Sequence, residues 1–147
     1  MAFVYFDTSH AIEVHDEIII RSGGLLGLLN KGLLESVLGL VKDDSYYPKI
    51  ENKLTHLFYS INKNHSFQDG NKRASIALSA YFLELNNGSF KVDRFIREME
   101  NIAVDVADNR IDKELLFEII TSILYEDDYC ESLKLKIIYA KGFDDLN

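Results

Sequence analysis

One short segment, from His65 to Arg73, combines residue types that together could move a phosphoryl group. It reads His-Ser-Phe-Gln-Asp-Gly-Asn-Lys-Arg and lies between two predicted helices, so its end should form the start of the second one. The first N–H groups of a helix have no partner within it, and the helix dipole adds partial positive charge there. Phosphate oxygens bind readily at such a helix start. The segment therefore predicts an anion site in a chain whose formal net charge is −8.

Three residues of the segment suit that site. Gly70 can bring the backbone close to a ligand and adopt angles that other residues resist. Lys72 and Arg73 place full positive charge beside the helix start, and the planar fork of an arginine fits phosphate geometry. Phe67 is expected to fix the turn by inserting into the core.

Asp69 and His65 extend the site from binding to chemistry. A carboxylate next to a phosphate site is repulsive unless a cation lies between them, and Mg²⁺ is typically held by one or two carboxylates together with phosphate oxygens. A histidine is largely uncharged near neutral pH and can accept a proton from an attacking hydroxyl. We therefore expect Asp69 to hold Mg²⁺ and His65 to act as a general base.

The rest of the chain predicts an all-α domain that positions this segment. Apolar residues recur at helical spacing, and the chain contains one proline, Pro48, which is expected in the first turn of a helix. A glycine-rich stretch from Gly23 to Gly32 is predicted to be an ordered loop or a small flap. Five predicted helices cover about 9–21, 33–41, 48–64, 71–86 and 93–107. A sixth begins after Asp112, which is its expected N-cap.

The C-terminal residues are harder to assign. Leu133, Leu135, Ile137 and Tyr139 alternate with other residues, which is typical of a short strand, although a frayed helix or an irregular tail fits as well. We therefore divide the chain into a catalytic domain at residues 1–125 and a C-terminal extension at residues 126–147.

Composition limits the setting in which the protein works. The acidic net charge argues against direct binding of nucleic acid. The single cysteine, Cys130, cannot form a disulfide within the chain and suits a reducing compartment. No signal-peptide pattern is visible, and no apolar run approaches the roughly 18–20 residues that cross a bilayer. We expect a cytoplasmic protein without membrane contact.

The segment also matches a known signature, H-x-F-x-[DEN]-[AG]-N-[KG]-R. It resembles the Fic/Doc superfamily, and the lysine at the eighth position, Lys72, makes it resemble the Doc, or death-on-curing, branch. Further segments resemble Doc in the same order, and the resemblance covers about residues 5–125. These segments are Glu13–Glu17, Gly23–Leu25, Gly32–Ser36 and Tyr47–Lys53.

The resemblance implies a compact helical domain of about six helices and a role for each residue of the motif. It also implies that the Gly23–Gly32 flap holds the segment of the target protein. The implied roles are general base for His65, metal-associated carboxylate for Asp69, structural anchor for Phe67, anion-hole amides from Gly70 onward, and phosphate ligands for Asn71, Lys72 and Arg73.

The resemblance further implies transfer of the γ-phosphate of ATP, with Mg²⁺, to a Ser or Thr hydroxyl of a target protein. AMP-transferring Fic enzymes usually have glycine where this chain has Lys72 and a further arginine where it has Ile76. The prototype Doc target is elongation factor Tu. AMP transfer to a protein hydroxyl remains the alternative reaction, and a binding module without turnover remains the alternative class.

The resemblance implies a toxin that a separate antitoxin controls. Fic proteins with built-in inhibition carry [ST]-x-x-x-E-[GN], and Ser9 to Glu13 fits its first five positions. The next residue is Val14, so we interpret this stretch as ordinary helix. Control is then expected from a separate antitoxin protein that folds onto the domain.

Overall fold

A computed structural model of the chain describes residues 2–142, which form an all-helical domain. Seven α-helices and one short 3₁₀ turn, Ser89–Lys91, follow one another in these residues. The α-helices are α1 (Thr8–Ser22), α2 (Lys31–Leu40), α3 (Ile50–Lys63), α4 (Asn71–Leu85), α5 (Val92–Ala107), α6 (Lys113–Tyr125) and α7 (Glu131–Ala140).

Local sequence signals explain where several helices begin and end. The side chain of Asp7 accepts from the N–H of His10 and caps α1, and Asp112 accepts from Leu115 (2.8 Å) as the predicted cap of α6. Such caps satisfy donors that a helix start leaves free. Helix α1 ends at Ser22 and is followed by Gly23 as its C-cap, whose φ of 90° suits glycine best.

Helix α3 lies at the centre of the core. It contacts α2, α4, α5 and α6, and its inward face buries Leu54, Leu57, Phe58 and Ile61 completely. Because this helix leads directly into the His65–Arg73 segment, its burial fixes one end of that segment. Helix α4 packs against α1, α3 and α5 and fixes the other end.

The first half of the chain differs from the prediction at two places. Helix α2 begins at Lys31 with Asn30 as its N-cap, so Gly32 belongs to the helix and not to the glycine-rich loop. Pro48 precedes the N-cap of α3, Lys49, and therefore lies outside the first turn of that helix. Proline restricts the residue before it to extended angles, which separates α3 from the turn that precedes it.

The C-terminal segment is a helix over Glu131–Ala140, and the strand alternative is wrong for these residues. Leu133 is only 5% exposed and joins the core, whereas Leu135 is 50% exposed. Ile137 and Ala140 pack beside the core, at helical spacing from Leu133. The alternating pattern misleads because Leu135 and Tyr139 are apolar residues on the solvent side. Residues 143–147 of the proposed extension lie outside the described part of the chain.

None of the helices between residues 2 and 142 has both the length and the apolar character needed to cross a membrane.

The helical assignment of the C-terminal segment can be tested with two leucines that a strand would place on one face. Leu133→Ala is expected to lower the free energy of unfolding by about 2–3 kcal/mol, because it removes buried methyl groups from the core. The same change at the exposed Leu135 should lower it by less than about 0.5 kcal/mol. Urea unfolding of both variants measures the difference. Equal losses at the two positions would contradict the helix.

Candidate active site

The loop between α3 and α4 places His65 in a strained backbone conformation at the surface. Its φ of 50° lies in the left-handed region, which residues other than glycine adopt at a cost of about 1 kcal/mol. The His65 side chain is exposed, whereas Ser66 and Phe67 directly after it are buried. Strain of this kind persists where the surroundings hold it, and it is concentrated at functional sites.

The glycine-rich flap pairs with this loop through backbone hydrogen bonds. Leu28 and Phe67 form an antiparallel β-bridge, and the N–H of Gln68 donates to the carbonyl of Gly27 (2.9 Å). On the other side of the bridge, the N–H of Leu29 donates to the carbonyl of Ser66 (2.8 Å). The flap and the loop between α3 and α4, called the motif loop from here on, are therefore one paired unit. The sequence does not predict this long-range pairing.

Asn71 closes the loop. Its Nδ2 donates to the carbonyl of Phe67 (3.0 Å), and its Oδ1 accepts from the N–H of Phe67 (3.2 Å). The Asn71 side chain is 9% exposed, and both of its polar ends are engaged. These bonds engage the side chain within the loop, whereas the backbone N–H of Asn71 has no partner within helix α4. The expected role of Asn71 as a phosphate ligand stays a prediction.

The N-cap of helix α4 is Gly70, which has a φ of 77° in the left-handed region. A Cβ at this position would also lie only 3.0 Å from the Cδ1 of Ile19. The first hydrogen bond of the helix runs from the N–H of Ala74 to the carbonyl of Gly70 (2.8 Å). The N–H groups of the three residues between them, Asn71, Lys72 and Arg73, have no partner within the helix.

Asp69 is held as a carboxylate beside that helix start. Its Oδ2 accepts from the N–H of Leu25 (3.1 Å), and its Oδ1 accepts from the N–H of Gly70 (2.8 Å). The bond from Leu25, followed by the bond from Gly70, holds the pKa of Asp69 below its ordinary value. The charges of Arg73 and His15 act in the same direction with smaller effect.

Arg73 and Lys72 have different environments. Nη1 of Arg73 donates to the hydroxyl of Ser22 (2.6 Å) and to the carbonyl of Gly23 (2.8 Å), at the C-terminus of α1. Its Nη2 lies 4.0 Å from Oδ1 of Asp69. Lys72 is exposed. Arg73 thus lies next to Asp69 while bracing the end of α1, and Lys72 extends into solvent.

The flap lies directly against the charged pair. A Cβ at Gly24 would approach Oδ2 of Asp69 to 2.7 Å and Nη2 of Arg73 to 3.0 Å. Gly24 also has a φ of 124°. Any other residue there would both strain the backbone and push against the two charged groups, so glycine is what allows the flap to cover this edge of the site.

His15 is a site neighbour whose role does not follow from the motif. It is fully buried, its ring stacks on Phe67 with centroids 3.8 Å apart, and Nε2 lies 2.6 Å from the carbonyl oxygen of Asp69. One signal was available in the sequence. Ala11, His15 and Ile19 recur every four residues on the buried face of α1, and a polar side chain in such a stripe needs a partner.

The residues present fit a magnesium ion bound together with phosphate. Each oxygen of Asp69 accepts one N–H and retains a further lone pair, because an ionised carboxylate offers about four acceptor sites. Among residues 2–142 no three His, Cys, Asp or Glu side chains cluster as a self-contained metal site. A single carboxylate that needs substrate phosphates to complete the coordination matches the preference of Mg²⁺.

The low pKa of Asp69 predicts how acid affects stability. A carboxylate whose pKa is lower in the folded chain contributes stability above its unfolded value of 3.8, and that contribution is lost as the pH falls through the folded value. Asp69→Asn should therefore be less stable than the parent near pH 7, and the difference should shrink below about pH 4. Urea unfolding across a pH series measures it. A difference that stays constant or grows in acid would contradict the role of the two N–H bonds.

The chain is also similar in sequence to known proteins. A profile of the Fic/DOC family matches residues 5–83. The chain is 30% identical over 92 residues to a protein named Toxin Doc from Mycolicibacterium smegmatis. The matched region covers 60% of this chain and 71% of that relative. It is 34% identical over 79 residues to a protein named Protein kinase doc from Escherichia phage P1. That match covers 51% of this chain and 62% of the relative. The motif, the all-helical fold and these matches together show that the chain belongs to the Fic/DOC family, on its Doc branch.

Proposed function

We propose that this protein transfers the γ-phosphate of ATP to a Ser or Thr hydroxyl of a target protein and acts as the toxin of a toxin–antitoxin pair. The observation that carries the proposal is the construction of the α3–α4 loop. It joins an exposed imidazole, an ionised carboxylate and a helix start with free N–H groups within nine residues, His65 to Arg73.

The start of α4 is the proposed binding site for the phosphates of ATP. The N–H groups of Asn71, Lys72 and Arg73 supply donors, and the helix dipole adds positive potential. Lys72 is exposed and can reach a phosphate oxygen, and Arg73 adds a second full charge beside the first turn. Donors fixed by the fold need no rearrangement when charge develops on the transferring group, which is how such sites accelerate phosphoryl transfer.

Asp69 is the proposed holder of Mg²⁺. Its side chain is 43% exposed and therefore open to an ion from solvent, while the N–H groups of Leu25 and Gly70 fix its orientation. The ion, when bound with ATP, would neutralise part of the phosphate charge. Asp69 contributes the negative charge and the position that attract the ion to this point.

His65 is the proposed general base. The hydroxyl oxygen of the target residue attacks the γ-phosphorus, the bond from that phosphorus to the oxygen of ADP breaks, and the hydroxyl proton passes to a ring nitrogen of His65. The ring is exposed, so a target hydroxyl can approach it. A positioned base contributes roughly 10²–10⁴ to a rate.

The flap is the proposed docking surface for the target. Leu25, Leu26 and Leu29 are between 57% and 61% exposed, and the flap that carries them is hydrogen-bonded to the loop that carries His65. A protein segment bound along the flap would therefore be fixed relative to the base. By resemblance to Doc, we propose a translation factor such as elongation factor Tu as the target and a separate antitoxin as the inhibitor.

Two positions favour γ-phosphate transfer over AMP transfer. Lys72 occupies the place where AMP-transferring enzymes usually have glycine. Its side chain would obstruct the outer phosphates of ATP in the orientation that AMP transfer requires. Ile76 occupies the place of their further arginine and lies in an apolar groove with Ile18 and Ile96, next to Arg73. The relative from Escherichia phage P1 carries the name of a protein kinase, which supports the same choice.

The proposal predicts which phosphate of ATP labels a target. Incubation with bacterial lysate and Mg²⁺ should give labelled protein from ATP labelled at the γ-phosphate and none from ATP labelled at the α-phosphate. His65→Ala should slow labelling by roughly 10²–10⁴ because the base is lost. Gln68→Ala is the matched control, because Gln68 is an exposed neighbour in the same loop whose backbone bond to Gly27 survives the change.

Three outcomes would contradict the proposal. Label from the α-phosphate would indicate AMP transfer, and no label from a folded parent chain would favour a binding module. Labelling by His65→Ala at the rate of Gln68→Ala, with both variants melting near the parent, would remove His65 from the mechanism.

A further inference from the structure

The buried ring of His15 contacts the motif loop at two points. Its face lies parallel to that of Phe67, with 5° between the planes, and its Nε2 lies 2.6 Å from the carbonyl oxygen of Asp69. Its Nδ1 lies 3.0 Å from Oδ1 of Asp16, a neighbour on α1 whose side chain is 45% exposed. No solvent reaches His15 itself.

The Asp69 partner fixes the direction of one hydrogen bond. A backbone carbonyl oxygen can only accept, so Nε2 of His15 donates to it. The bond to Asp16 sets the rotation of the ring, and the bond to Asp69 sets the position of the loop backbone. Helix α1 therefore holds the main chain of the residue whose side chain is the proposed magnesium ligand.

From these contacts we infer that His15 is a positioning residue for the site. Its N–H holds the Asp69 carbonyl and its ring holds Phe67, so the two together fix where the Asp69 carboxylate and the helix-start amides lie. The structural part of this inference stands on the contacts alone. Its consequence for turnover rests on the proposed function, because displacement of catalytic groups by about 1 Å can slow a reaction roughly a hundredfold.

His56 offers a matched comparison inside the same protein. It is also buried, its Nε2 lies 2.9 Å from the carbonyl oxygen of Val37, and its ring stacks on Tyr47 with centroids 4.4 Å apart. Burial lowers the pKa of His56. It joins α3 to α2, and its hydrogen-bond and stacking partners, Val37, Ser60 and Tyr47, all lie outside the motif loop. The same substitution there therefore removes a similar contact without displacing the site.

The test uses three variants of the full chain. His15→Phe keeps a ring to stack on Phe67 and removes the donor to Asp69. His15→Gln keeps an N–H donor near the position of Nε2. His56→Phe removes the equivalent donor away from the motif. For each variant, hydrogen exchange is measured at the amides of Phe67 and Gln68, together with the melting temperature and the kcat and KM of γ-phosphate transfer.

His15→Phe should speed exchange at these two amides at least tenfold over His56→Phe. It should also lower kcat by roughly tenfold to a hundredfold, with the KM for the target protein within twofold of the parent. His15→Gln should recover most of the protection and most of the kcat. His56→Phe should change the melting temperature alone.

The inference is overturned if His15→Phe matches His56→Phe in exchange and kcat, which would make His15 an ordinary core residue. It is also overturned if His15→Gln is no better than His15→Phe, because the donated N–H would then have no part. A parent chain that transfers no phosphate would refute the proposed function, while hydrogen exchange would still decide whether His15 positions the loop.

Discussion

The paired hydrogen bonds between the Asn71 side chain and the Phe67 backbone close the loop on which the rest of the site depends. They tie the first residue of α4 to a residue buried in the core, so the helix start cannot shift without disturbing the core. A site that binds phosphate needs its donors fixed before the ligand arrives, since donors that must rearrange contribute less. The buried Phe67 and Asn71 provide that rigidity, and the strained, exposed His65 is held by the same buried neighbours.

The second constraint is electrostatic. A carboxylate beside a phosphate site is unfavourable alone, yet the N–H groups of Leu25 and Gly70 favour the ionised form of Asp69. The N–H of Gly70 is therefore engaged by Asp69, and Arg73 is drawn toward the end of α1. The proposed phosphate donors that remain are the later N–H groups of the first turn and the exposed Lys72. The flap covers the charged edge of this arrangement and presents its leucines to solvent. The proposed docking surface for the target is therefore joined to the site through backbone pairing.

The sequence predicts the parts of this architecture that are local. Helical periodicity and caps such as Asp112 locate the first six helices to within a few residues, because burial and capping leave regular traces in the chain. Long-range contacts leave weaker traces. The pairing of Leu28 with Phe67 and the contact of His15 with Asp69 join residues far apart in sequence, and neither follows from spacing. The last helix was ambiguous for a different reason, since exposed apolar residues such as Leu135 and Tyr139 imitate strand alternation.

The central claim is that the first turn of α4 binds the phosphates of ATP with Mg²⁺ held by Asp69. The most direct measurement is an amide NMR titration of the parent chain with a non-hydrolysable ATP analogue and Mg²⁺. The largest shift changes are expected at the amides of Asn71, Lys72 and Arg73, and they should weaken strongly when Mg²⁺ is withheld. Shift changes concentrated elsewhere on the chain, or unchanged by removal of Mg²⁺, would contradict it.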